Sequence, residues 1–177
     1  SGVVFFYIYS IFQHRKSTRE FSRARTPEVI HRVIERYDGK YPELVENARS
    51  SLGNLYINEK KFSEARVVYS ELADTASSSE IRYLARYNVC ASYVLEGEPA
   101  KAVKAFEELL NTPRLPASYR SDLYLNIAMQ YMKMQNSDKA SEYCRKIIGL
   151  PLNRNDQDAV FNYNQAVQLL RDTGAQN

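Results

Sequence analysis

Tryptophan is absent from this 177-residue chain, and four other residue types are scarce: two cysteines, two histidines, six glycines and six prolines. Each scarcity excludes a class of protein. Cys90 and Cys144 are too few for a disulfide framework, and no Cys or His spacing suggests zinc. His14 and His31 are the only candidate histidine bases or ligands, and no Gly-x-Ser-x-Gly, phosphate-cradling glycine loop or His-Glu-x-x-His motif occurs. The chain therefore reads as a protein without a catalytic site, cofactor or metal. Glycine and proline are also too sparse for an all-β chain that must turn every eight to twelve residues.

What remains is a composition of 44% hydrophobic and 25% charged residues, ordinary for a folded soluble domain. Charge is uneven. Residues 1–40 hold eight bases and four acids, a net of +4, and residues 41–177 hold 16 bases and 17 acids, a net of −1. No extended basic surface follows residue 40, so nucleic acid is not an expected partner.

The first twelve residues are nearly all apolar or aromatic and carry no charge. At about 1.5 Å per residue such a helix covers about half of a ~30 Å hydrocarbon core. One reading is the distal half of a transmembrane anchor, with Phe5, Phe6, Tyr7, Tyr9 and Phe12 at the interfacial belt and Arg15, Lys16 and Arg19 next to the headgroups. A helix packed on the rest of the chain and a helix lying in an interface are the alternatives. The organisation expected is an anchor or aromatic helix plus basic stalk over residues 1–25 and a helical domain over 26–177.

From Pro27 onward the sequence breaks into segments of 10–20 residues without strand-like alternation. Thr26-Pro27 opens a helix and Asp38-Gly39 closes it. Later breaks fall at Lys60-Lys61, Ser77-Ser79, Gly97-Pro99, Thr112-Pro113, Gln135-Asn136 and Gly149-Pro151. Ser63, Ser137 and Asn155 are the expected N-caps. Superimposed, the segments show a period. Leu52-Gly53-x-x-Tyr56, Val89-Cys90-x-x-Tyr93 and Ile127-Ala128-x-x-Tyr131 each precede an alanine by nine residues: Ala65, Ala102 and Ala140, spaced by 37 and 38 residues. Four residues beyond each alanine stand Tyr69, Phe106 and Cys144.

These residues resemble the tetratricopeptide repeat, a helix–turn–helix of about 34 residues. The resemblance implies an all-α, right-handed α-solenoid of about three degenerate repeats near 46–79, 83–116 and 121–154. A capping helix over 155–173 follows, in which Val160 starts a fourth first helix with Ala166, Val167, Leu170 and Gly174 in register. Gly53, Cys90 and Ala128 would sit where the paired helices meet closely, with Ala65, Ala102 and Ala140 opposite. Cys90 and Cys144 then act as small core hydrophobes. Departures include Arg49 and Arg86 where the family prefers a large residue.

Such solenoids work through the concave face lined by the first helix of each pair. Asn54, Tyr87, Asn88, Leu125, Asn126, Met129 and Met132 are the expected peptide-binding residues. An asparagine amide both donates to and accepts from an extended backbone, and methionine adapts to side chains. The chaperone-binding members of the family clamp a C-terminal carboxylate with three cations. Asn54 and Asn88 match that clamp, but Ser50, Asp122 and Asn126 replace its cations, so it is not expected here.

The order of apolar N-terminus, charged stalk and degenerate repeats is similar to the ancillary subunit of the bacterial Sec translocon. That likeness implies a chaperone-like, membrane-anchored, single-pass scaffold of envelope machinery with periplasmic or other extracytoplasmic repeats. The basic flank points instead to the cytoplasmic side. The alternative is a soluble adaptor that forms a homo-oligomer through residues 1–12. Removing residues 1–12 is expected to reduce self-association in sedimentation velocity and leave the melting temperature unchanged; a large loss of stability would identify a packed helix.

Overall fold

The computed structural model describes residue 16, residues 18–20 and residues 25–174. Eight helices run from residue 27 onward: α1 Pro27–Tyr37, α2 Pro42–Asn58, α3 Phe62–Thr75, α4 Ser79–Glu96, α5 Pro99–Leu110, α6 Ala117–Lys133, α7 Ser137–Ile148 and α8 Gln157–Asp172. No strand occurs among the described residues. Prolines 27, 42 and 99 begin α1, α2 and α5, where the missing N–H removes no helical bond. The chain divides into two compact units, residues 1–92 and 93–177, with the division inside α4.

The turn within each helical pair follows one design. Lys60, Gly97, Gln135 and Gly174 all have positive φ, at 59°, 82°, 58° and 67°. In the three complete pairs the next amide reaches back to a tyrosine carbonyl: Lys61 to Tyr56 at 2.8 Å, Glu98 to Tyr93 at 2.9 Å and Asn136 to Tyr131 at 2.9 Å. This left-handed closure satisfies carbonyls that the ending helix would otherwise leave orphaned. It also fixes where the next helix begins. The caps expected at Ser63, Ser137 and Asn155 are therefore displaced. Lys61, Asn136 and Asp156 occupy those positions, and only the last two accept helix amides with their side chains. At α3 the turn counted from Tyr56 sets the start at Lys61 against side-chain preference, whereas Asn136 and Asp156 are themselves favoured capping residues.

In the first unit Ile30, Val33, Tyr37, Leu44, Val45, Ala48, Leu52 and Val68 form one cluster joining α1, α2 and α3. Leu72, Ala73, Ala76 and Ala85 form a second, joining α3 to α4. Glu46, buried in α2, accepts the Ser77 amide at 2.6 Å and ties the loop after α3 to α2. Gly53 lies directly beneath the Tyr69 ring: a Cβ there would meet ring carbons at 2.5 Å. Tyr69 is 1% exposed and cannot swing away.

In the second unit Ala102, Ala128, Ala140 and Cys144 are fully buried with Phe106, Leu123 and Ile127. Tyr143 stacks on Tyr131 with centroids 5.8 Å apart and donates to Glu107 at 2.6 Å, tying α7 to α6 and α5. Helix α8 is held by Asn162, whose Nδ2 donates to Ser121 Oγ at 3.0 Å and to the Asp122 carboxylate.

The membrane anchor expected at the N-terminus requires correction. Among the described residues no helix is long and apolar enough to cross a membrane. The longest, α4, has 18 residues and carries Glu80, Arg82, Arg86 and Glu96, so it is amphipathic rather than apolar all round. The single-pass, membrane-anchored placement with extracytoplasmic repeats is therefore not upheld. Phe5, Phe6, Tyr7, Tyr9, Phe12 and Arg15 lie outside the described residues. Lys16 and Arg19 are exposed on a helical stretch whose Glu20 accepts from Tyr37 Oη at 2.8 Å and from Arg36 Nη1 at 3.1 Å. These bonds tie residues 18–20 to α1, and with the Arg36 charge they hold the Glu20 carboxyl below its ordinary range, Tyr37 contributing most.

Gly53→Ala tests the close approach. Overpacking a fixed ring should destabilise the fold by about 1–3 kcal/mol, read as a lower urea midpoint at unchanged slope.

Candidate protein-interaction face

The helical period decides which side chains of each first helix remain outside the core. On α2, Asn47 and Asn54 are exposed, with Ser50, Ser51 and Ile57 half-buried. Asn54 is not free: its Oδ1 accepts from Tyr69 Oη at 2.6 Å. That bond orients the amide and leaves its NH2 group outward. Burial pushes the Tyr69 hydroxyl up to about 12. On α4, Tyr87 and Asn88 are half-buried and Leu84 is 49% exposed. The Tyr87 ring stands 6.2 Å from that of Tyr83, which fixes its tilt.

The second unit is more apolar outside. Met129 is 47% exposed and Met132 is half-buried, while Leu125 is only 7% exposed and belongs to the core. Asn126 is half-buried, and its Nδ2 donates back to the Asp122 carbonyl at 2.8 Å. Asp122 is half-buried, and its carboxyl lies above the usual range. Burial is the main cause; the Asn162 hydrogen bond opposes it, and the Asp158 and Asp156 charges reinforce it.

Helix α8 extends this surface. Phe161 is 58% exposed and followed by exposed Asn164, Gln165 and Gln168. In the register that starts at Val160, Phe161 stands where Leu84 and Asp122 stand in their own repeats. The register that starts at Val160 therefore makes Phe161 legible in the sequence, at the same place as Leu84.

Neither cysteine adds chemistry. Cys90 and Cys144 are buried and form no disulfide, and burial pushes the Cys144 thiol up to about 11, so it stays protonated. Among the described residues no three His, Cys, Asp or Glu side chains stand together as a metal site. The groups left outside are apolar side chains and amides, which suit recognition of another polypeptide.

With this geometry in view, the comparisons with known proteins concern the repeat. Residues 121–154 match the tetratricopeptide repeat family model, so α6 and α7 form one such repeat. The fold as a whole is TPR-like. It is similar to kinesin light chain TPR-like repeats of Podosopora anserina, with a TM-score of 0.61 at 14% identity over 93% of this chain and 86% of that one. It is also similar to MamA, with a TM-score of 0.52 at 15% identity over 92% and 96% of the two chains. The human intraflagellar transport protein 88 homolog is 22% identical over 107 residues, 59% of this chain but 12% of that protein. The resemblance to the ancillary translocon subunit gains nothing from these likenesses.

Burial of the Tyr69 hydroxyl makes a pH prediction. Unfolded tyrosine ionises near pH 10, and the folded group does so near 12. The folded state thus holds its proton longer, so the stabilisation is complete below pH 10 and is lost as pH rises toward 12. Urea midpoints measured from pH 9 upward should fall over that window, and Tyr69→Phe should flatten the fall.

Proposed function

We propose that this chain is a protein-interaction scaffold that holds extended segments of partner polypeptides on the outer faces of its first helices. One observation carries the reading: Leu84, Met129 and Phe161 remain 49%, 47% and 58% exposed, each on the first helix of a pair. Leu84 and Phe161 share one place in the repeat register and Met129 stands two turns further along its own first helix, and large apolar groups kept outside on these faces suit a binding surface. The exposed amide of Asn54 and the half-buried amides of Asn88 and Asn126 complement them by offering hydrogen bonds to a peptide backbone. Tyr87 and Met132 add adaptable apolar area at low entropic cost. In this reading Leu125 supports Met129 from beneath the surface.

The experiment uses the full chain with Met129→Asp and Phe161→Asp together. Both side chains are exposed, so the melting temperature should hold. Capture of the partners enriched by the unmodified protein should fall by roughly tenfold or more, since apolar anchors carry most of such binding energy. Undiminished capture of the same partners would remove these helix faces as the working surface.

A further inference from the structure

The second unit contains a cavity of about 210 Å³ that the interaction face does not use. It opens where the start of α6, the end of α7 and the start of α8 converge. Ile147, Leu150 and Leu152 are apolar residues of its lining, and Tyr163, Ser118 and Asp156 line it as well. The size decides the kind of occupant. It exceeds the ~150 Å³ that admits a benzene ring, yet it falls short of the ~300 Å³ at which drug-sized and cofactor pockets begin. One long side chain fits that interval.

Charge decides which side chain. Asp156 is the only charged residue lining the cavity. Its Oδ1 caps α8 through the Asp158 and Ala159 amides, both at 3.1 Å, and its other oxygen has no partner among the described residues. The neighbouring sequence does not neutralise it: Arg120 donates to the Leu115 carbonyl at 3.1 and 2.8 Å, and Arg154 does not line the cavity. An acid, a tyrosine and apolar residues that line one cavity match the three parts of an arginine: a guanidinium that pairs with the acid, a plane that stacks, and a methylene stem that packs.

We propose that this cavity receives an arginine side chain projected by a partner polypeptide. Neither Met129 nor Phe161 lines it, so the proposal stands or falls apart from the reading of the helix faces. The test titrates the full, isotopically labelled chain with N-acetyl-arginine methylamide and follows backbone amide shifts. Saturable shifts at Asn153, Ala159 and Tyr163 are expected. The citrulline counterpart, which keeps the shape and loses the charge, should bind roughly tenfold more weakly or worse. Asp156→Asn should weaken the arginine probe as much while the fold persists, because asparagine caps a helix as well as aspartate. Equal binding of citrulline or of the norleucine counterpart overturns the proposal, as does an Asp156→Asn chain that binds arginine undiminished. A lysine probe that matches arginine would overturn the assignment of a guanidinium.

Discussion

The left-handed turn between paired helices is the constraint on which the rest depends. A helix that ends in water has its last carbonyls solvated, but one that must reverse within two or three residues leaves them in need of a partner within the turn. Closing the bond from Lys61, Glu98 or Asn136 back to the tyrosine carbonyl five residues earlier satisfies them in one way only. Lys60 and Gln135 adopt positive φ there although neither is glycine, at a cost on the order of 1–2 kcal/mol each. Each cost is met by what the reversal brings into contact.

What it brings into contact differs between the units, although the spacing is the same. In the first unit Gly53 removes a side chain so that the Tyr69 ring can lie on the helix, and the ring's hydroxyl then reaches Asn54. In the second unit Phe106 and Cys144 stand at the place of Tyr69, and beside Cys144 the aromatic volume comes from Tyr143, Tyr124 and Tyr131. A pattern of small against large is kept while the identities exchange. Dense packing needs a sum of volumes and a fit, not a particular residue. Residues 121–154 match the repeat family's model, and the fold as a whole is TPR-like.

Function follows from what the packing leaves over. Each pair spends its small residues, alanines and tyrosines on the contact between its helices, and the opposite face of the first helix is free to vary. Leu84, Met129 and Phe161 are apolar residues that the core did not take. The cavity beside Asp156 is a different kind of remainder: three helix ends converge there, and ends carry loops that fill space less completely than helix flanks do.

The periodicity of small residues, tyrosines and alanines determined by itself that the chain is helical, where its breaks fall and which residues face inward across a pair. Those are local matters, since 3.6 residues per turn and a short turn leave little choice. The same register also reached Gly174, which takes the turn conformation of its counterparts. Only the tertiary structure decided the rest. Leu125 is buried while Met129, one turn on, is exposed, because the neighbouring helices cover one and not the other. The amides of Asn54 and Asn126 have partners within the chain, and the hydroxyl that engages Asn54 comes from 15 residues away. Glu20 and Tyr37 meet across 17 residues, a bond no helical spacing announces. Sequence repeats record which face a residue occupies; whether that face is covered, bonded or open depends on neighbours that the repeat itself does not encode.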